Sequence, residues 1–318
     1  MTRILTRTDL LELLNPHDCI QALREGFATA PRSAVSGQRV RTDLPFPGTA
    51  TALLPGLLPG IDGYTVKVNA KFPGAAPALR GVICLHSGTD GALLALIDSA
   101  TITAWRTGLA AALATDLIAR PGSDGAHTVG VLGVIGAGAQ AELTVQGLGT
   151  LRSWNHLVVH DTDRQRATDF ADRYGGSVVS TPGQVAAEAD IVVLATWARQ
   201  PLLHLRDLRP HQHLTTLGAD EPGKQELAAE VLTYARLIVD DVALVAAHGA
   251  LANAGLPATT AAACLSEVIR GDAPARCHNQ KITVYAPVGL PWQDLALSWL
   301  AYQQAATTGT GTTLDLLS

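Results

Sequence analysis

The stretch that decides the fold reads GVIGAGAQAE and runs from Gly133 to Glu142. It overlaps an apolar run, Val129 to Ile135, that is typical of a parallel strand buried on both faces. Gly136 and Gly138 fall where such a strand would turn into a helix, although Ala141 replaces the third glycine of the usual dinucleotide fingerprint. These two glycines alone do not identify a dinucleotide-binding site, so the neighbouring sequence has to support that interpretation.

The sequence around this turn alternates strands and helices. Further strands are predicted at 156–160 and 190–195, and helices at 139–148 and 163–174. This βαβαβ order predicts a Rossmann-type, doubly wound α/β domain. Asp161 ends the second strand, about 25 residues after the glycines, where a carboxylate can bind the adenosine ribose hydroxyls. We therefore predict NAD as the cofactor in preference to NADP, because Asp161 would repel a 2′-phosphate.

A smaller α+β domain is predicted before this one. It opens with a helix that has Asn15 as N-cap and Pro16 in the first helical position. Gly and Pro then punctuate short β-leaning runs between residues 40 and 94, which indicates mostly antiparallel strands. An alanine-rich helix over 99–119 stops at Arg120-Pro121-Gly122. We predict domain boundaries at 1–120 and 121–294, with a terminal helix and tail over 295–318.

Composition excludes several classes of protein. The 318 residues carry a net charge of −5 with scattered Lys and Arg, so we expect no nucleic-acid or membrane-surface partner. The four cysteines lie far apart, which argues against a disulfide framework. The N-terminus has no continuous apolar segment, and no later run approaches the ~20 apolar residues that span a bilayer. A cytoplasmic location is expected.

Three polar positions stand out as candidates for chemistry. Lys67 lies in the middle of a predicted strand, on one face with Asn69 at period two. Arg106 lies in the alanine-rich helix, where a guanidinium needs an anion. Asp220 follows an apolar-leaning run and so lies at the carboxyl end of a strand, where ligands bind in open α/β sheets. The alternatives are a solvated strand face for Lys67 and a turn or N-cap aspartate for Asp220.

Two histidine-containing pairs could suggest a metal. Cys84 with His86, and His211 with His213, have the i, i+2 spacing that places both side chains on one strand face. Neither pair has a third or fourth ligand nearby in the sequence. We therefore predict no metal site.

Several motifs together resemble the ornithine cyclodeaminase and mu-crystallin family over about residues 35 to 310. Besides the glycine turn with Gln140, the matching segments are Arg41-Thr-Asp-Leu-Pro45, Thr103-Ala-Trp-Arg-Thr-Gly108, Asp161-Thr-Asp163, Ala189-Asp-Ile-Val-Val-Leu-Ala-Thr196, Gly218-Ala-Asp-Glu-Pro-Gly-Lys-Gln-Glu-Leu227, and Val288-Gly289 with Asp294. Their combination is specific to the family.

The resemblance implies roles for individual residues. Three cations, Arg41, Lys67 and Arg106, would grip the substrate α-carboxylate. Asp220 would be the catalytic acid/base, and Lys67 is counted as catalytic too. The implied cofactor-binding residues are Thr107, Gly136, Gly138, Ala139, Gln140, Asp161, Thr162, Thr196 and Lys224. The resemblance also implies a homodimer, in which the first domain, completed by the end of the chain, forms the substrate site and the dimer interface.

Two departures from the family pattern bear on the substrate. In cyclodeaminases a glutamate binds the distal ammonium of the substrate, and this glutamate lies two residues before a Met-Pro pair. In this chain Ala52 occupies that position in the substrate site. A diamino acid would therefore bury an uncompensated cation, at a cost of several kcal/mol. Ala286-Pro287 stands where the family commonly has serine before Val-Gly, which removes one contact on the nicotinamide side.

We therefore predict hydride transfer between NAD and Cα of a small α-amino or α-imino acid, as in an amino-acid dehydrogenase or a ketimine or imine reductase. The first alternative is a redox-neutral cyclodeaminase that releases ammonia from ornithine or lysine. The second is a small-ligand-binding protein, because some mammalian relatives resembling mu-crystallin bind thyroid hormone.

Overall fold

The structure, a computed structural model, describes residues 1–30, 39–72, 74–75, 77–121, 128–276 and 282–316. The chain divides into two compact units. Unit 1 comprises Met1–Arg106 and Leu290–Ser318, and unit 2 comprises Thr107–Gly289.

These divisions differ from the expected boundaries at 120/121 and 294/295. The first falls inside the alanine-rich helix, because Ala112 and Ala119 of that helix pack with Val134 and Leu148 in a core of unit 2. The stop at Arg120-Pro121 ends the helix but does not mark the edge of the unit. The second division falls earlier because the final helix already begins at Pro291.

Up to residue 118, most of the described elements are strands, and they do not alternate regularly with helices. In chain order they are β1 (Thr2–Leu5), α1 (Arg7–Leu13), α2 (Pro16–Thr29), β2 (Arg39–Asp43), β3 (Thr49–Gly56), β4 (Gly63–Lys71), β5 (Leu79–Ser87), β6 (Leu93–Asp98) and α3 (Ser99–Ile118). The predicted cap of α2 is confirmed, since the side chain of Asn15 accepts a hydrogen bond from the Asp18 N–H at 3.0 Å.

Unit 2 continues with strands and helices in alternation. They are β7 (Thr128–Ile135), α4 (Ala139–Leu151), β8 (Ser153–His160), α5 (Arg164–Tyr174), β9 (Ser177–Val178), α6 (Pro182–Glu188), β10 (Ile191–Leu194), β11 (His213–Thr216), α7 (Ala229–Tyr234), β12 (Arg236–Val239), α8 (Val242–His248), α9 (Ala250–Ala254), β13 (Ala263–Cys264), α10 (Leu265–Arg270) and β14 (Thr283–Tyr285). The chain then returns to unit 1 through α11 (Pro291–Thr308) and β15 (Thr312–Leu314).

The sheet of unit 1 is mixed, with strand order β15-β1-β6-β5-β4-β3-β2 among the described residues. All its neighbours are antiparallel except β1 and β6, which are parallel. Helix α11 contacts β3, β4, β5 and α2, and the rings of Phe27 and Trp292 meet edge to face at 4.8 Å. Ile83 and Leu85 of β5 are fully buried. The core of unit 1 therefore lies between one sheet face and these helices.

The sheet of unit 2 confirms the predicted doubly wound fold. Its described strands are all parallel, in the order β13-β12-β14-β11-β10-β7-β8-β9. The chain builds outward from β7 in one direction and then restarts at β10 on its other side, so the strand order reverses between these two strands. In such sheets ligands bind outside the carboxyl ends of the strands at this reversal.

Within the described ranges, every helix is too short or too polar to span a bilayer.

Candidate active site

The glycine turn after β7 has the geometry that its residues suggest. Gly136 has φ of +92°, and a Cβ there would lie 2.6 Å from the Ala195 carbonyl oxygen, so this position requires glycine. Gly138 is the N-cap of α4, and a Cβ built on it would meet no atom within 4 Å. Backbone N–H groups at the start of α4, where Ala139 and Gln140 lie, therefore border open space, as an anion site at a helix N-terminus requires.

Asp161 ties the end of β8 to this turn. One carboxylate oxygen accepts the Ala137 N–H at 2.8 Å, and the other accepts the Asp163 N–H at 2.8 Å. The Thr162 hydroxyl lies 3.5 Å from Asp161, which is too long for a strong hydrogen bond. Asp161 therefore positions the glycine turn, and it can still accept hydrogen bonds from ribose hydroxyls because each carboxylate oxygen has two lone pairs.

Two threonines predicted to contact the dinucleotide differ in their environment. The Thr107 hydroxyl is buried and makes no hydrogen bond to a described residue. The Thr196 hydroxyl, just beyond β10, donates to Glu226 at 2.8 Å, and the Thr196 N–H donates to the same oxygen at 2.6 Å. The Thr196 hydroxyl therefore already donates its proton to Glu226, whereas the Thr107 hydroxyl makes no hydrogen bond to a described residue.

Asp220 lies beyond the carboxyl end of β11, on the sheet edge that carries the glycine turn. Its carboxylate is 3.2 Å from the Lys224 ammonium, which also lies 3.3 Å from Glu221 and 4.7 Å from the centre of the Trp197 ring. The side chain of Asp220 is 34% exposed, so this carboxylate remains accessible. Lys224, expected to contact the cofactor, is thus also the ion-pair partner of the predicted acid/base.

A second buried carboxylate shapes the same sheet edge. Asp240, which follows β12, accepts hydrogen bonds from the Val288 N–H at 3.1 Å and the Gly289 N–H at 2.6 Å. Burial raises the pKa of Asp240, and these backbone hydrogen bonds partly oppose that rise. Asp240 therefore fixes the turn after β14, to which the family pattern assigns a nicotinamide-side contact.

In unit 1, Lys67 and Arg106 share one carboxylate. The Lys67 ammonium is 2.6 Å from Asp294 and donates to the Thr103 hydroxyl at 3.3 Å. Arg106 Nε lies 3.5 Å from the other oxygen of Asp294, and its Nη1 donates to Gln293 at 3.3 Å. The side chains of Lys67 and Asp294 are 1% and 2% exposed, and that of Arg106 is 11% exposed. The structure thus brings two of the three predicted cations together around a buried acid on α11.

The register of the strands places Arg41 on the same face of the sheet as Lys67. It pairs with Thr51 of β3, which pairs with Asn69 of β4, and directly paired residues point to one face. Lys67 is two residues from Asn69 and therefore lies on that face too. The guanidinium of Arg41 is 3.1 Å from Asp43.

Ala52, the predicted substrate-site residue of β3, is not brought to this face. Its register partners are Val40 and Val68, so its side chain lies on the opposite face from Lys67. The physical reason is the period of two along a strand, where a shift of one residue exchanges the faces. The β3 residues paired with the Lys67 face of β4 are Thr49, Thr51, Leu53 and, beyond a register shift, Gly56, and none of them is acidic.

Asp294 and Glu226 have no role that is predicted from the sequence alone. Both occur within the quoted family motifs, which is the only signal that could have drawn attention to them. The pairing of Asp294 with Lys67 joins distant parts of the chain and needs the packing of α11 on the sheet, so spacing along the sequence could not have shown it.

Residues 1–309 match the model of the ornithine cyclodeaminase/mu-crystallin family. The chain belongs to this family. Ketimine reductase mu-crystallin of Mus musculus is 31% identical over 294 residues, which cover 89% of this chain and 90% of the relative. Alanine dehydrogenase of Archaeoglobus fulgidus is 28% identical over 323 residues, which cover 98% and 97%.

A solved structure supports the same assignment. The structure of an archaeal alanine dehydrogenase dimer with bound NAD matches this chain with a TM-score of 0.88. The two sequences are 26% identical, and the match covers 99% of both chains. The residues of unit 2 fit such a dinucleotide, because Gly138 borders open space and Thr107 has a buried hydroxyl with no partner among the described residues.

We predict that Asp294→Asn destabilises the protein by about 3–5 kcal/mol, because it breaks a buried ion pair from one side. The measurement is the free energy of unfolding in urea. The control is the same substitution in a Lys67→Met background, where the ion pair is already absent and the loss should be clearly smaller. An equal loss in both backgrounds would contradict the inferred coupling.

Proposed function

We propose that this protein is an NAD-dependent oxidoreductase that transfers hydride between the nicotinamide and Cα of a small α-amino or α-imino acid. The observation that carries the proposal is the position of Asp220 on the sheet edge that also bears the glycine turn and Asp161. A proton-transfer group and a dinucleotide site thus share one edge of the sheet in unit 2. Similarity to alanine dehydrogenase and to ketimine reductase mu-crystallin supports this chemistry.

The substrate carboxylate is assigned to Arg41, Lys67 and Arg106. A carboxylate in a dry site is bound best by charge-assisted donors, and the guanidinium of Arg106 offers a planar fork that matches it. Asp294 holds Lys67 and Arg106 next to each other before any substrate arrives. This arrangement lowers the cost of ordering the site when the substrate binds.

Asp220 is assigned the proton transfer at the substrate nitrogen. NAD supplies the hydride chemistry when bound, accepting hydride from an amino acid or, as NADH, giving it to an imino acid. In the oxidative direction Asp220 accepts the proton that the amine loses as the iminium forms, or it activates the water that hydrolyses the iminium. In the reductive direction Asp220 protonates the nitrogen. The ion pair with Lys224 orients the carboxylate for this step.

The face of the sheet around Lys67 favours net redox chemistry over cyclodeamination. A cyclodeaminase must hold a second ammonium group on its substrate, which needs a carboxylate in a buried site. Thr49, Thr51 and Leu53 supply none from β3 on the Lys67 face. These residues, and not Ala52, leave the Lys67 face of β3 without a carboxylate for a second ammonium group.

NAD is preferred over NADP in this proposal because the Asp161 carboxylate lies at the end of β8, where a 2′-phosphate would be repelled. Structures that resemble this chain bind NAD, as in the archaeal alanine dehydrogenase.

The protein is further proposed to form a homodimer through the outer face of the unit 1 sheet. Val40, Ala52, Val68 and Val82 form a row across four neighbouring strands, and the three valines are 56%, 49% and 36% exposed. Such an apolar patch on a sheet face is typical of an interface. The archaeal alanine dehydrogenase is a dimer.

Dimer formation is tested by Val68→Glu, which places a charge in the centre of this row. Sedimentation velocity should show a dimer for the wild type and a monomer for the variant, because a buried unpaired charge opposes association. The control is Leu11→Glu, an exposed apolar position on α1 that should leave the dimer intact. A monomeric wild type, or a variant that still dimerises, would reject this interface.

The activity is tested with a panel of amino acids, 2-oxo acids with ammonium, and cyclic imino acids, assayed by NADH absorbance in both directions. Asp220→Asn should lower kcat by about 10²- to 10⁴-fold while NADH still binds, because the variant loses the proton-transfer group. Asp169→Asn, an exposed change on α5, is the matched control.

Three results would reject the proposal. Full activity in Asp220→Asn would show that this residue is not the acid/base. Ammonia and a cyclic product without net NADH change would indicate a cyclodeaminase. Dinucleotide binding without turnover of any substrate would indicate a ligand-binding protein.

A further inference from the structure

We propose that Glu226 is a positioning residue that fixes the loop bearing Asp220 to the end of β10. This inference rests on the proposed function, in which Asp220 transfers the proton. It assigns Glu226 no contact with substrate or cofactor, because the residue is completely buried.

The Glu226 carboxylate joins two strand ends through four hydrogen bonds. One oxygen accepts the N–H and the hydroxyl of Thr196, at 2.6 and 2.8 Å. The other accepts the Thr216 hydroxyl and the Gly218 N–H, both at 2.7 Å. Thr196 follows β10, and Gly218 lies two residues before Asp220. The carboxylate therefore links the end of β10 to the segment that leads from β11 to Asp220.

The direction of these hydrogen bonds requires an acceptor at both oxygens. A threonine hydroxyl can rotate and accept, but a backbone N–H can only donate. Each Glu226 oxygen receives one backbone N–H, from Thr196 and from Gly218. A glutamine of the same shape would have to point its NH2 group at one of these two N–H groups, whichever way its amide is turned. Glu226→Gln must therefore break one of the two links.

The fit around Gly218 leaves no room for adjustment. A Cβ on Gly218 would lie 2.4 Å from the Thr196 carbonyl oxygen and 2.5 Å from a Glu226 oxygen. The backbone of the Asp220 loop thus approaches both partners as closely as a glycine permits. A side chain as small as alanine would push the loop away from β10.

Asn253 of α9 holds the same loop on its other side. Its side-chain nitrogen donates to the carbonyl oxygens of Ala219 at 3.2 Å and Glu221 at 2.9 Å, and its side-chain oxygen accepts the Gly223 N–H at 3.1 Å. The residues immediately before and after Asp220 are therefore both anchored. Two separate contacts, from Glu226 and from Asn253, fix the backbone that carries the proton-transfer group.

Replacing Glu226 with glutamine should displace the Asp220 loop but change the free energy of unfolding only slightly. Burial raises the pKa of Glu226, and the four hydrogen bonds oppose but do not cancel that rise. The charged form of Glu226 is therefore less favourable than that of an exposed glutamate, and the stability that the residue contributes falls as pH rises through the raised pKa. Replacing it with glutamine removes this cost but leaves one N–H without its acceptor. Because these effects oppose each other, we expect a small net change in stability.

The experiment compares Glu226→Gln with Glu230→Gln in the full-length protein. Glu230 is exposed on α7 and undergoes the same chemical change. For each variant, kcat and KM are measured with the best substrate of the wild type, the affinity for NADH by fluorescence, and the melting temperature by calorimetry. Glu226→Gln should lower kcat roughly 10- to 100-fold, because small displacements of a reacting group have effects of this size. NADH affinity should fall far less than kcat, because the glycine turn and Asp161 lie outside this loop, and the melting temperature should stay close to the wild-type value.

Gly218→Ala and Asn253→Ala provide independent variants should Glu226→Gln fail to fold, since each displaces the same loop without changing the carboxylate. Each should lower kcat by a larger factor than NADH affinity. Wild-type kcat in the folded variants would overturn the inference, and so would a loss of kcat that is matched by an equal loss of NADH binding or, in Glu226→Gln, by a lower melting temperature. Activity retained in Asp220→Asn would instead reject the proposed function, so the two failures are distinguishable.

Discussion

The sheet edge of unit 2 depends on carboxylates that accept backbone N–H groups. Asp161 accepts the Ala137 N–H after β7, Glu226 accepts the Gly218 N–H after β11, and Asp240 accepts the Gly289 N–H after β14. Parallel strands leave their carboxyl ends at one edge, but nothing in the strands themselves fixes the loops that follow. A buried carboxylate is costly unless its oxygens are satisfied. Each loop can therefore hold only the conformation that brings its N–H to the acid.

Unit 1 also contains a buried carboxylate, but its partners are charged side chains and not backbone N–H groups. Asp294 on α11 is surrounded by Lys67 and Arg106, so a single acid holds two cations in place. Removing the acid would leave buried positive charge, so the ion pair between Lys67 and Asp294 joins the helix at the end of the chain to the sheet of the first unit. The unit that supplies the cations is thus completed only when the last part of the chain is in place.

Local signals in the sequence were sufficient for most of the fold. The cap at Asn15 and the spacing from Gly136 to Asp161 act over one helix or one βαβ unit, and the structure has both features. Signals that depend on register or distant packing were not sufficient. The resemblance assigns Ala52 to the substrate site because it occupies the place of a glutamate in the family pattern, but only the pairing of neighbouring strands shows which face of the sheet its side chain occupies. Asp294 was given no role because its partners lie far away along the chain. The helix stop at Pro121 misplaced the division of the units, since α3 contributes to both.

The central claim is that hydride passes between the nicotinamide and Cα of an α-amino or α-imino acid. The most direct measurement uses NADH carrying deuterium at both C4 positions, incubated with an imino acid or with a 2-oxo acid and ammonium. Mass spectrometry and proton NMR of the amino-acid product should show one deuterium at Cα for each NADH oxidised. Product with only hydrogen at Cα, or product formed without oxidation of NADH, would contradict the account.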